Sequence, residues 1–226
     1  MNCFPTICVD NFFDNPNEIR SFAESLEYKS CHELDGIWPG KRSQCLHVIA
    51  PEYFNKFTLK IFALFYDYRK HKDIKWTVST YFQIVDPSEY GGIDSAWIHQ
   101  DKNHMAAGVV YLNEDINLEC GTSMFKPKSP NHDVVNPVER KDMLTTFDPS
   151  KIDLYKKALE ENNEQFIETV RFNNLYNRVI AYGGSQYHAA SNYSNKIGKP
   201  RLTQVFFVES VDADWFPIPS SKSITI

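Results

Sequence analysis

At Lys75 the hydrophobic period of this chain switches from helical to alternating. Beyond that point come eight short runs rich in β-branched and aromatic residues, at 76–85, 95–99, 105–113, 121–125, 166–172, 178–182, 186–193 and 202–209. Asp86-Pro87 ends the first run, and turn-forming residues separate most of the others. So many short strands must pair into sheets that face one another, and the count suits a jelly roll. The 16 Phe and 12 Tyr are side chains that fit sheet faces.

Helices are expected around this sheet region. Asn15-Pro16-Asn17-Glu18 offers a cap residue, Pro at the first helical position and Glu three residues after the cap. Ile19, Phe22, Ala23 and Leu26 follow at helical spacing. A second helix is expected over about 51–70, where Phe54, Phe57, Ile61, Leu64, Phe65 and Tyr68 make a broad apolar face. Such a face needs a sheet to cover. Asp148-Pro149 caps a third helix carrying Ile152, Tyr155 and Leu159. The expected class is α+β, mainly β, with N-terminal helices packed on the outer face of one sheet. We read one domain over 1–226: a helical support region at 1–74, the β region at 75–209 with an insertion at about 126–163, and a C-terminal tail at 210–226.

Composition narrows the function classes. Hydrophobic residues make up 42% of the chain, enough for a packed core, and the net charge of −5 comes with no basic block, so a nucleic-acid surface is not expected. The cysteines Cys3, Cys8, Cys31, Cys45 and Cys120 are odd in number and form no C-x-x-C pair, which argues against a zinc ribbon or a disulfide framework. No apolar run reaches transmembrane length and no signal-peptide pattern opens the chain. A soluble, cytoplasmic protein is expected. The oligomeric state is not legible.

The chemistry concentrates in Trp97-Ile98-His99-Gln100-Asp101. Residues two apart on a strand face the same side, so His99 and Asp101 can both point inward at the end of the apolar run 96–98. With a second histidine they form a two-histidine, one-carboxylate triad, which grips Fe(II) by one face and leaves the other positions open. H-x-D alone says little, because His71-Lys72-Asp73 repeats it inside a charged run that reads as a solvated linker. For the third ligand, His188 is offered by a separate strand after Ala181-Tyr182-Gly183-Gly184. His32, His47, His104 and His132 are the alternatives, and His104, close to His99, is the serious rival.

Thirteen residues after His188 comes Arg201. Strand parity puts Arg201, Thr203, Val205 and Phe207 on one face, and Leu202, Gln204, Phe206 and Val208 on the other. An arginine directed into an apolar barrel is costly unless it meets an anion. A guanidinium binds a carboxylate through two hydrogen bonds, and Thr203 can add a third donor. The plainer alternative is an exposed residue at a strand start.

These residues together resemble the Fe(II)/2-oxoglutarate-dependent oxygenase superfamily, in particular its prolyl-hydroxylase-like branch. The resemblance spans about 76–209 and rests on H-x-D…H, on a basic residue about a dozen positions after the distal histidine, and on Arg201-Leu202-Thr203. It implies a double-stranded β-helix, with His99, Asp101 and His188 on iron and Arg201 and Thr203 on 2-oxoglutarate. Tyr111, in Tyr111-Leu112-Asn113, is implied as a further contact to the same carboxylate, and Gly121-Thr122 resembles the turn into the fourth strand. The cofactors implied are Fe(II) and 2-oxoglutarate, with ascorbate an optional addition. The partners implied are dioxygen and a small-molecule or peptide substrate. A carboxylate at Asp101 points to hydroxylation, since halogenating relatives carry a small residue there.

One departure is the separation of 87 residues between Asp101 and His188, wider than in compact members. The insertion at about 126–163 accounts for it and reads either as a lid or substrate wall or as a surface excursion. The whole chain is also similar to small oxygenase-like proteins from bacteria and their viruses. Trp97, Tyr81, Gln83 and Tyr90 are candidates for the entrance, with core or loop positions as the alternative. Two other functions use the same sequence: a cupin-like hydrolase or isomerase with Zn²⁺ or Mn²⁺ on the triad, and a non-catalytic β-barrel in which the triad does not converge.

Overall fold

The computed structural model describes residues 4–34, 36–67, 69, 73–114, 117–130, 136–193 and 200–213. In chain order the strands are β1 (Ile7–Val9), β2 (Lys29–Ser30), β3 (Lys41–Arg42), β4 (Lys75–Val85), β5 (Ala106–Tyr111), β6 (Thr122–Pro127), β7 (Phe166–Phe172), β8 (Val179–Gly183), β9 (Tyr187–Ala190) and β10 (Arg201–Asp212). The α-helices are α1 (Pro16–Glu24), α2 (Leu46–Ile49), α3 (Pro51–Phe62), α4 (Pro137–Thr145) and α5 (Ile152–Asn163). A large antiparallel sheet runs β1-β8-β5-β10-β4-β3-β2, and a small one runs β7-β6-β9. The two sheets form the double-stranded β-helix. Among the described residues no helix is long and apolar enough to cross a membrane.

The large sheet is buried on both sides, and its alternation sorts side chains between two cores. On β5, Ala106 and Val110 face the helices, while Ala107, Val109 and Tyr111 face the small sheet. On β10, Leu202, Phe206 and Val208 join the helical side, and Val205 and Phe207 pack toward the small sheet, as parity requires. The helical side is aromatic: Phe57 meets Phe206 edge-on at 5.8 Å, and Phe62 stacks on Trp76 at 4.3 Å. Phe57, Phe62 and Phe206 are fully buried, and each contributes roughly 1.5–3 kcal/mol of apolar burial.

Several expectations shift. The helix expected over 51–70 stops at Phe62, and Phe65 and Tyr66 are buried in the turn that follows. Their burial extended the apolar pattern without extending the helix. The run at 95–99 is no strand. Only His99 bridges another chain segment, pairing with His188. The strands β1, β2 and β3 and the helices α2 and α4 are too short or too polar to have stood out. His71, Lys72, His132 and residues 214–226 of the expected tail lie outside the described residues.

Candidate active site

His99 and His188 are locked together by backbone. Each donates its amide to the other's carbonyl, at 3.1 and 2.9 Å. This pair sets the imidazoles side by side, with ring centroids 4.5 Å apart. Asp101, two residues on, closes the set: its carboxylate oxygens lie 3.7 Å from His99 Nε2 and 3.4 Å from His188 Nε2. One ligand atom from each of the three lies within 4.8 Å of the others. The expected convergence of these three side chains is therefore present.

The tautomers are fixed by the backbone. His99 Nδ1 lies 2.8 Å from the Trp97 carbonyl, and His188 Nδ1 lies 2.9 Å from the Gln186 carbonyl. A carbonyl only accepts, so each Nδ1 carries the proton and each Nε2 turns a lone pair toward Asp101. This is the arrangement that readies imidazoles for a metal. Protonation agrees. Burial, together with the charges of His188 and Arg140, pushes His99 down to about 3 against the opposing pull of Asp101. About a quarter of the His99 side chain is accessible, and it lines a partly open cavity. Burial by itself would raise Asp101. The neighbouring His188, His99 and His104 outweigh it and hold the carboxyl well below the usual carboxylate range.

The missing strand at 95–99 has a physical explanation. Ahead of His99, the backbone of Ala96 and Ile98 bonds to the end of α5 instead of to a neighbouring strand. Asn163 Nδ2 donates to the Ala96 carbonyl at 3.0 Å, and Asn163 Oδ1 accepts from Ile98 N at 3.1 Å. Asn162 Nδ2 donates to the Ile98 carbonyl at 3.2 Å. These amides hold the segment that delivers His99. On the far side, Gly184 accepts from the Asp101 amide at 2.8 Å, and a Cβ on Gly184 would sit 2.0 Å from the His104 carbonyl oxygen. Only glycine lets the β8–β9 turn press against this loop.

A cavity of about 480 Å³ opens beside the triad, a size typical of small-ligand sites. Arg201 lines it and is only 6% exposed. Its Nε donates to the Cys120 carbonyl at 2.9 Å, and its guanidinium lies 5.5 Å from the Tyr111 ring centroid. Among the described residues no carboxylate pairs with Arg201, and its terminal nitrogens have no hydrogen-bond acceptor. Thr203 sits fully buried on the face that presents Arg201 and Val205, and its Oγ1 has no partner. Tyr111 is also fully buried and donates its hydroxyl to Thr122 Oγ1 at 2.9 Å. Neither Tyr111 nor Thr203 lines the cavity, whereas Thr122 does.

Among the other expected residues, Trp97, Tyr81, Gln83 and Tyr90 all line the cavity. His104 lines it too, with its ring 4.9 Å from Phe207, but it stands outside the triad. His32 and His47 are exposed elsewhere on the surface. The insertion is part of the wall, because Arg140, Met143 and Leu144 of α4 line the cavity. The sequence reading passed over Arg42, Arg140 and Tyr182. Tyr182 packs on His188 at 4.5 Å, and burial raises its phenol well above the ordinary value. Its position just before the Gly183-Gly184 turn was the available signal. Arg140 falls in the insertion read either as a substrate wall or as a surface excursion, and Arg42 in a segment with no distinguishing pattern.

No curated protein matches the chain in sequence. Solved structures are similar in fold. One is HygX from Streptomyces hygroscopicus with nickel and 2-oxoglutarate bound: 11% identity, 90% of this chain and 82% of that one covered, TM-score 0.52. Another is the epimerase SnoN in complex with Fe³⁺, alpha ketoglutarate and nogalamycin RO: 13% identity, 90% and 78% covered, TM-score 0.51. A prolyl-4-hydroxylase from Pseudomonas putida is similar over 90% of this chain and 91% of that one, at 11% identity and a TM-score of 0.42, and adds nothing to the fold assignment. A family model matches residues 3–208, and the chain thus belongs to DUF6445, a family of unknown function built here on the double-stranded β-helix.

Proposed function

We propose that this chain is an Fe(II)- and 2-oxoglutarate-dependent oxygenase that hydroxylates a small-molecule or peptide substrate. The observation that carries the reading is the convergence of His99, Asp101 and His188 on one point beside a cavity lined by a buried arginine without a carboxylate partner. Two neutral imidazoles and one carboxylate suit Fe(II), and a three-residue set leaves further coordination positions for other ligands. When bound, iron and 2-oxoglutarate supply the oxidising chemistry, with 2-oxoglutarate leaving as succinate and carbon dioxide.

The chain's own residues have definite tasks in this reading. The Trp97 and Gln186 carbonyls keep the two Nε2 lone pairs turned to the metal. Low proton affinity at His99 and Asp101 leaves the site ready for metal at neutral pH. Arg201 holds the distal carboxylate of 2-oxoglutarate, while Thr203, on the same strand face, keeps an unpartnered Oγ1 buried outside the cavity lining. Tyr111 keeps the guanidinium in place from behind, and Tyr182 braces His188. Asp101 as a ligand favours hydroxylation over halogenation. A zinc or manganese hydrolase needs no buried arginine next to the metal, so Arg201 argues against it.

The test is turnover. Purified protein with Fe(II), 2-oxoglutarate and dioxygen is expected to release succinate slowly without added substrate, and Asp101→Ala is expected to abolish this. Equal succinate release by wild type and variant, or none from either with metal bound, would count against the proposal.

A further inference from the structure

Two more arginines line the same cavity, and the tasks assigned above use neither. Arg42, on β3, is held in an aromatic cage: its guanidinium lies 4.4 Å from the Trp38 ring, 5.1 Å from Phe207 and 5.5 Å from Tyr81. Gln83 sets its plane by accepting from Arg42 Nε at 3.1 Å, while Gln83 Nε2 donates to the Pro39 carbonyl at 2.7 Å. Arg140 reaches in from α4, and its Nε is buried without a hydrogen-bond partner. Among the described residues neither arginine has a salt bridge. Burial pushes Arg42 down to about 10 and lowers Arg140 as well, against the opposing pull of Asp101 on both.

The rest of the cavity points the same way. Its acidic residues are Asp101, which belongs to the triad, and Glu209, which is exposed. Three arginines face them. A divalent metal and a doubly charged 2-oxoglutarate cancel one another, so loading the site leaves the positive excess in place. Trp38 and Trp97 also line the cavity, and their buried Nε1 donors have no partner. A wall with arginines that lack a carboxylate partner fits an acceptor-rich anion. A cavity of about 480 Å³ with Met143 and Leu144 in its wall suits a small molecule.

We infer that the substrate is a small acid whose carboxylate or phosphate is held by Arg42 and Arg140. The inference rests on the oxygenase reading, since it assigns these arginines to the substrate of that same site.

The test loads the protein with Ni(II) and saturating 2-oxoglutarate, so that Arg201 is engaged and no turnover occurs. Glutarate, phosphate and sulfate are then titrated by calorimetry and thermal shift, with neutral glutaramide as the control. At least one anion is expected to bind saturably and glutaramide is not. Arg42→Gln and Arg140→Gln are each expected to weaken that anion at least tenfold, with 2-oxoglutarate affinity changed less than twofold. Carboxylate against phosphate preference separates the two chemistries. Arg42→Lys keeps the charge without the planar fork and supplies a milder comparison should Arg42→Gln fail to fold. Three results overturn the inference: no saturable anion binding, unchanged anion binding in the variants, or loss of 2-oxoglutarate in parallel with the anion. Failure of Ni(II) and 2-oxoglutarate to load, visible before any anion is added, instead overturns the oxygenase reading and this inference with it.

Discussion

Asn163→Ala tests how the triad is held. Asn163 satisfies two backbone groups just ahead of His99, the Ala96 carbonyl at 3.0 Å and the Ile98 amide at 3.1 Å, and it also accepts from Asn162 Nδ2 at 3.0 Å. Ala96 and Ile98 are buried, so the substitution leaves a carbonyl and an amide unpaired away from bulk water. Each such loss costs roughly 1–3 kcal/mol, or about 2–6 kcal/mol together. For a chain of this size about 1 kcal/mol shifts Tm by roughly 2–4 °C, so a drop of about 4–24 °C is expected. Because this segment aims His99, metal affinity is expected to fall about 10–100-fold, as for other outer-shell supports. Thermal denaturation and Ni(II) calorimetry read the two effects. The double variant Asn162→Ala/Asn163→Ala is expected to lose less than the sum of the singles, because the two amides bond each other. A Tm within 2 °C of wild type refutes the reasoning outright. A large Tm drop with Ni(II) affinity within twofold refutes the link from this clasp to the metal.

Other perturbations reach other parts of the account. Arg201→Ala removes the buried partner proposed for the 2-oxoglutarate carboxylate, and such truncations cost about 2–5 kcal/mol, so 2-oxoglutarate should bind at least about thirtyfold more weakly with Ni(II) affinity nearly unchanged. Loss of metal instead would make Arg201 a structural residue. Gly184→Ala puts a methyl against the His104 and Asp101 carbonyls and is expected to lower both Tm and metal affinity, with an overpacking cost of roughly 1–3 kcal/mol; a neutral result would mean the turn is slack. Hydrogen bonds from Lys151, Tyr155 and Thr146 hold Asp142 down to about 2. Its unfolded carboxyl takes up a proton near pH 4, so its stabilising effect is full above that point and fades as pH falls toward 2. The stability gap between wild type and Asp142→Asn should therefore close between pH 4 and 2 in acid-unfolding experiments, and a gap independent of pH would contradict this.

Much of the fold was legible because its strands are long or strongly alternating. Trp76 to Val85 and Leu202 to Val208 announce themselves by period, and their parity correctly sends Phe206 to the helical core and Val205 to the inner one. The segment before His99 was misread because apolar residues such as Ala96, Trp97 and Ile98 look the same whether their backbone bonds to a strand or to asparagine amides. Those amides lie more than 60 residues away, in an insertion that composition marks only as polar. The triad was legible through spacing and context. Arg42 and Arg140 were not, because an arginine in a polar stretch reads as solvated, and only the closure of Trp38, Tyr81 and Phe207 around Arg42 shows otherwise.

Anaerobic titration of the metal-free protein with Fe(II) and 2-oxoglutarate puts the central claim to the most direct test. Joint binding at one site is expected to give the visible metal-to-ligand charge-transfer band, present with both components, absent with either alone, and lost in His188→Ala. Tight Fe(II) binding that yields no such band at saturating 2-oxoglutarate would contradict the account.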